Sequence, residues 1–147
     1  MDKPNIHFQR ANYIVANMER ALEFYVGVLG LTLDFEKDSE KTSYSYPVFA
    51  ISNEADIGFA VLSAPNQPRV MALTEIRNIK LESVPHPRRA AIVLEVSDIY
   101  GVAKRAKDAG FAVFDEGEFE TPDGRKGPEI GIIDADDNLI VLYSFNE

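Results

Sequence analysis

The sequence predicts an α+β fold built from two tandem βαβββ modules. Three observations carry that prediction. The stretch Ala11–Phe35 reads as strand, polar turn, amphipathic helix, glycine and strand. A looser copy follows at Ala90–Phe114. After each copy come strand-like runs separated by turn residues, as a duplicated unit requires.

Ile6–Ala16 alternates as a strand, with Ala11, Tyr13 and Val15 on one face and Arg10, Asn12 and Ile14 on the other. Asn17 is a helix N-cap. Met18, Leu22, Tyr25 and Leu29 fall on one helical stripe. Gly30 suits the left-handed residue that ends a helix. Leu31–Glu36, Ser43–Ile51 and Ile57–Ser63 read as the three remaining strands of the first module, Tyr44 and Tyr46 sharing a face of the middle one. Module one therefore spans about 6–63.

Residues 64–89 break the rhythm with Pro65, Pro68, Pro85 and Pro87. They read as a connector, long for a compact domain, whose middle suits either a short helix or a strand. Module two spans about 90–147. Ala90–Val96 is its first strand, Ser97 and Asp98 its capping residues, and Ile99, Val102, Ala103 and Ala106 its helical stripe. Gly110 closes the helix. Phe111–Phe114 starts a strand, Thr121–Gly127 is a hairpin turn, and Glu129–Ile133 and Leu139–Phe145 are strands joined by Asp134–Asn138.

Composition bounds the function. The 147 residues suit one domain, with 46% hydrophobic and 27% charged residues. The absence of cysteine excludes disulfides, thiolate metal sites and a cysteine nucleophile. A net charge of -9 without a basic stripe argues against nucleic acid as a partner. No apolar run approaches a membrane span and no signal-peptide core is present. These features predict a soluble cytoplasmic protein. No GxSxG, GxGxxG or P-loop pattern occurs.

The runs VANMERALEFYVGVLGL, VLEVSDIYGVAKRAKDAGF and GIIDADDNLIVLYSF resemble the vicinal oxygen chelate superfamily, the glyoxalase, bleomycin-resistance and extradiol-dioxygenase group. The resemblance implies curled mixed sheets around a shared cup-like cavity, and commonly a homodimer. It also implies four metal-ligand positions. They fall here on Arg10, Ala91, Val141 and, late in module one, Phe59, which the repeat aligns with Val141. Arginine repels a cation, and alanine, valine and phenylalanine offer no donor. No metal and no other cofactor is expected on this basis. Glu95, Glu129 and an aspartate form the alternative ligand set.

By alternation the cup would carry Arg10, Asn12, Ile14, Phe59, Ala91, Val93, Glu95, Leu139, Val141, Tyr143 and Phe145, with Tyr44 and Tyr46 joining from a neighbouring strand. Arg10, Asn12, Tyr44, Tyr46, Phe59, Glu95, Val141 and Tyr143 are the expected ligand-binding residues. Arg10 and Glu95 interrupt an apolar surface. They either neutralise each other or meet a ligand, Arg10 at an anionic or carbonyl group and Glu95 as an acceptor or base. The predicted function is metal-free binding of a partly aromatic or hydrophobic small molecule. The alternative is a glyoxalase- or dioxygenase-like enzyme, a lyase, isomerase or ring-cleaving catalyst, with a non-standard or absent metal.

Overall fold

The computed structural model describes residues 3–146. Residues 3–10 are exposed and without regular structure, so the first strand, β1 (Ala11–Val15), is shorter than its alternation suggested. Asn17 then caps α1 (Met18–Leu22) by accepting from the Arg20 amide at 2.9 Å. Glu75 adds a second cap on the Met18 amide, at 2.6 Å. The helix continues as a wider π-helical turn over Glu23–Val28, which buries Phe24, Tyr25 and Val28. Gly30, at φ 83°, ends it. β2 (Thr32–Asp38), β3 (Asp56–Ala64) and β4 (Gln67–Arg77) complete a sheet of order β1-β4-β3-β2, with β1 parallel to β4.

The second module repeats this plan. β5 (Ile92–Glu95) leads to α3 (Ile99–Asp108), capped by the Asp98 side chain on the Gly101 amide and closed by Gly110 at φ 87°. β6 (Gly117–Glu120), β7 (Lys126–Ile133) and β8 (Leu139–Tyr143) give the order β5-β8-β7-β6, β5 being parallel to β8. Phe111–Phe114 contributes only a single bridge, Val113 to Ile132.

Two elements of module one differ from the sequence reading. Ser43–Ile51 is not a strand. It holds a short helix, α2 (Ser45–Val48). The Ser43 hydroxyl accepts from the Ser45 amide, and Pro47 sits in the first turn, where its missing N–H costs nothing. Tyr46 is buried on Ile57 and Ile76, with its hydroxyl donating to the Ala55 carbonyl at 2.8 Å. The missing strand is β4, inside the segment read as a connector. Pro65 and Asn66 form a tight turn, and the irregularity at Leu62–Ala64 absorbs Pro68 and Arg69. Prolines that resembled a linker thus flank a hairpin, and module one extends to Arg77.

Helices α1 and α3 cover the same side of the sheets and meet in one core, while α2 packs on the other side of module one. Phe24 and Phe111, one from each module, pack edge to face at 4.9 Å. Arg105 donates to the Val28 carbonyl, and Arg20 donates to that of Ala109 while lying 3.9 Å over the Phe111 ring. A polar latch fastens the β7–β8 turn to module one. Buried Asp134 accepts from the Tyr25 hydroxyl at 2.8 Å and from the amides of Asp136 and Asn138. Tyr13 donates to the Leu139 carbonyl, and Asn138 to that of Ile14. Burial, then the Asp134 charge, raises the Tyr25 pKa far above the usual phenol range. Among the described residues no helix is long and apolar enough to cross a membrane.

Candidate functional site

Because α1 and α3 take one side of the sheets, the opposite faces are free of both. That of module two stays partly exposed, whereas that of module one is largely buried, with Ile57, Val61, Ala72, Thr74 and Ile76 shielded and α2 packed over part of it. Register assigns their residues. On module one, Ile14, Thr74, Phe59 and Lys37 lie opposite one another across β1, β4, β3 and β2. Asn12, Ala72, Val61 and Phe35 form the neighbouring row. Thr74 is fully buried and donates to Asn12 at 3.1 Å. Phe35 and Phe59 lie 6.2 Å apart, and Phe35 is 43% exposed.

On module two the corresponding row is Glu95, Tyr143, Glu129 and Gly117 across β5, β8, β7 and β6. The Tyr143 hydroxyl donates to Glu95 at 3.1 Å. Desolvation, followed by the Glu95 carboxylate, raises the Tyr143 pKa above its ordinary value. Phe119, Tyr143 and Phe145 make a mutual edge-to-face cluster with centroids 5.2 to 5.6 Å apart. Val93, Val141 and Gly131 form the adjacent row, with the Phe114 ring lying over Gly131. Val93 is 61% exposed.

The expected site residues therefore separate. Asn12 and Phe59 belong to the first face; Glu95, Val141 and Tyr143 belong to the second. Arg10 precedes β1, is exposed, and forms no ion pair with Glu95; the described ion pairs lie elsewhere. Mutual neutralisation across the cup is thus replaced by the Glu95–Tyr143 hydrogen bond. Tyr44 is 78% exposed at the start of α2, and Tyr46 is buried beneath it, so the two do not share a strand face. The sequence reading missed Phe119, Lys37 and Thr74 as face residues. The alternation Gly127, Glu129, Gly131 was legible in KGPEIGII and could have placed Phe119 beside it.

The repeat is also corrected. Asn12 pairs with Ala72 as Val93 pairs with Val141, and the capping residues Asn17 and Asp98 align Asn12 with Val93. The module-one counterpart of Val141 is thus Ala72 on β4, not Phe59 on β3. The correction leaves the donor chemistry unchanged, since Ala72 offers no ligand either. Glu95 and Glu129 flank Tyr143, but among the described residues no three His, Asp or Glu side chains converge to hold a metal ion. The residues present do not fit a metal site. His7 is exposed, and His86 bonds to Asp137.

Between the modules an apolar crevice of about 440 Å³ is walled by Tyr25, Leu31, Met71, Ile92, Val93 and Leu94. Its size lies within the range of small-molecule pockets.

Paired βαβββ modules with α1 and α3 on one side and curled sheet faces on the other define a class of cup-forming proteins. The family model for the Glyoxalase/Bleomycin resistance protein/Dioxygenase superfamily matches residues 7–141. The chain belongs to that superfamily. No curated protein matches it by sequence. Among solved structures it is similar to a glyoxalase family protein from Bacillus cereus, with 16% identity, a TM-score of 0.76, and 100% and 99% of the two chains covered. A glyoxylase/bleomycin resistance protein/dioxygenase domain from Frankia sp. EAN1pec shows 15% identity and a TM-score of 0.69, over 97% of this chain and 100% of that one. The trypanothione-dependent glyoxalase I of Leishmania major shows 15% and 0.64, over 95% and 87%. At such identities the likeness is one of fold.

Proposed function

We propose that this chain is a small-molecule-binding member of the superfamily that works without a resident metal. It holds a partly aromatic or hydrophobic ligand against the open sheet faces. One observation carries the reading: the positions that resemble metal-ligand sites hold Arg10, Ala91, Val141 and Ala72, none of which donates to a cation. The aromatic lining supplies the complementary argument, because apolar walls with a few placed polar groups suit small organic ligands.

A homodimer with a cytoplasmic home completes the proposal. The face of module one carries Lys37 and that of module two carries Glu95 and Glu129, so a second copy can cover each with opposite charge. Sedimentation equilibrium is expected to show a dimer that weakens at high salt; a monomer at all salt concentrations refutes the assembly.

Elemental analysis of protein purified without chelator tests the central claim. Substoichiometric zinc, nickel, iron and manganese are expected; one equivalent of any of them overturns it. The Glu95–Tyr143 contact favours a second reading, an enzyme that uses Glu95 as a base. Under that reading Glu95→Gln abolishes turnover while ligand binding survives, whereas simple binding predicts that the affinity itself changes.

A further inference from the structure

Module two presents an unusual row on its open face. Tyr143 stands in register between two carboxylates, Glu95 on β5 and Glu129 on β7. β6 contributes Gly117 at the end of the row, so no side chain covers Glu129 from that side. Phe119 and Phe145 pack against Tyr143 and extend the aromatic surface. One organic cation already rests there: the Arg125 guanidinium lies 4.2 Å from the Phe145 ring centroid while pairing with Asp123. Aromatic faces beside carboxylates attract soft cations through the ring quadrupole and the charge together. The corresponding row of module one, Ile14, Thr74, Phe59 and Lys37, holds no carboxylate.

We propose that the Glu95–Tyr143–Glu129 row, walled by Phe119 and Phe145, binds the cationic headgroup of an organic ammonium or amidinium ligand. The inference rests on the reading of this face as a ligand surface and names the ligand class. Glu95 and Glu129 supply the charge, the rings supply the soft contact, and Arg125 competes for Phe145. The net charge of -9 favours approach of such a ligand.

The test uses the full chain and three probes that share a phenyl ring: benzyltrimethylammonium, phenylacetate and benzyl alcohol. Titration calorimetry reads affinity, and NMR shifts of the Phe119, Tyr143 and Phe145 ring signals locate binding. Benzyltrimethylammonium is expected to bind about tenfold more tightly than phenylacetate, and Glu95→Gln and Glu129→Gln are each expected to weaken it about five- to tenfold. Arg125→Ala is expected to strengthen it about two- to threefold by freeing the Phe145 face, a gain that a merely structural arginine would not produce. Unchanged affinity in both glutamine variants, or phenylacetate binding as tightly as the ammonium, overturns the cation assignment. If benzyl alcohol or phenylacetate shifts these rings while the ammonium does not, the cation assignment falls and the ligand-face reading stands. If none of the three probes moves the ring signals, both fall.

Discussion

The two modules share a fold plan and differ in what their open faces are for. Across module one the central row is Ile14, Thr74, Phe59 and Lys37, and the face is partly roofed by α2. Across module two the same row is Glu95, Tyr143, Glu129 and Gly117, and among the described residues no helix equivalent to α2 follows α3 to roof it. The difference is sharpest one step further along. Module one buries Ile57 beneath Tyr46, whereas the matching position in module two is Gly127. A Cβ there would stand 1.8 Å from the Ser144 carbonyl oxygen. One copy has filled its concave side with a small second core. The other has kept a bare backbone so that β8 can bend close and bring Phe145 up to Phe119. Duplication supplies the scaffold, and the filling of one face or the other decides which half meets a ligand.

The largest effect that would break this contrast belongs to Gly127. Gly127→Ala forces the Ser144 backbone away and is expected to cost about 4 kcal/mol or more, read as denaturant midpoint. Wild-type stability in that variant means that β7 and β8 do not approach as described. Ile57→Ala tests the filled side and is expected to cost about 2 to 4 kcal/mol through the cavity left under Tyr46. A loss below about 1 kcal/mol would show that the roof of module one is loose. Tyr46→Phe sharpens the same point on a smaller scale: the Ala55 carbonyl loses its hydroxyl donor, at about 1 kcal/mol in chemical denaturation.

The turns that close the last hairpin of each module extend the comparison. Module one uses a two-residue turn at Pro65–Asn66, while module two uses the longer Asp134–Asn138 run that reaches across to module one. There the Asp136 carboxylate accepts from the Ala16 amide at 3.1 Å. Burial raises the Asp136 pKa above the usual aspartate value, more than the Ala16 hydrogen bond lowers it. A carboxyl raised in the folded state contributes stability that is fully present below its unfolded value, about 3.9, and lost as pH rises through the folded value. Asp136→Asn keeps an acceptor for Ala16 and removes the charge. Its melting temperature is expected to exceed that of the parent at pH 7, with the gap closing below pH 4. A gap that stays constant with pH would show that Asp136 is not strained by burial. Asp137, next in the turn, runs the other way: Arg88, then His86, holds its carboxyl below the usual range.

Local rules determined a large part of this protein. The caps Asn17 and Asp98, the closing glycines Gly30 and Gly110 and the helical stripe of module two are set by interactions within a few residues and appear as read. In module one, by contrast, the π-helical turn shifts the buried face of the first helix to Met18, Ala21, Phe24, Tyr25 and Val28 and leaves Leu22 and Leu29 half-buried. Period-two alternation likewise placed Asn12, Phe59, Glu95, Val141 and Tyr143 on the sheet faces turned away from α1 and α3, because strand parity needs no knowledge of the partner strand. Pairing was not local. Tyr44 and Tyr46 favour strands, yet burial against Ile57 and Ile76 pulled their segment into α2. β4 was hidden because two prolines that suggest a linker are absorbed by a tight turn and a ladder irregularity, and only its partners β1 and β3 reveal it. That single strand moved the counterpart of Val141 from Phe59 to Ala72. The sequence by itself determined the repeat, its punctuation and the in-or-out sense of the residues of β1, β5 and β8. Only the tertiary structure decided which strands pair, which carboxylates flank Tyr143 and which face stays open, because these depend on contacts between residues far apart in the chain.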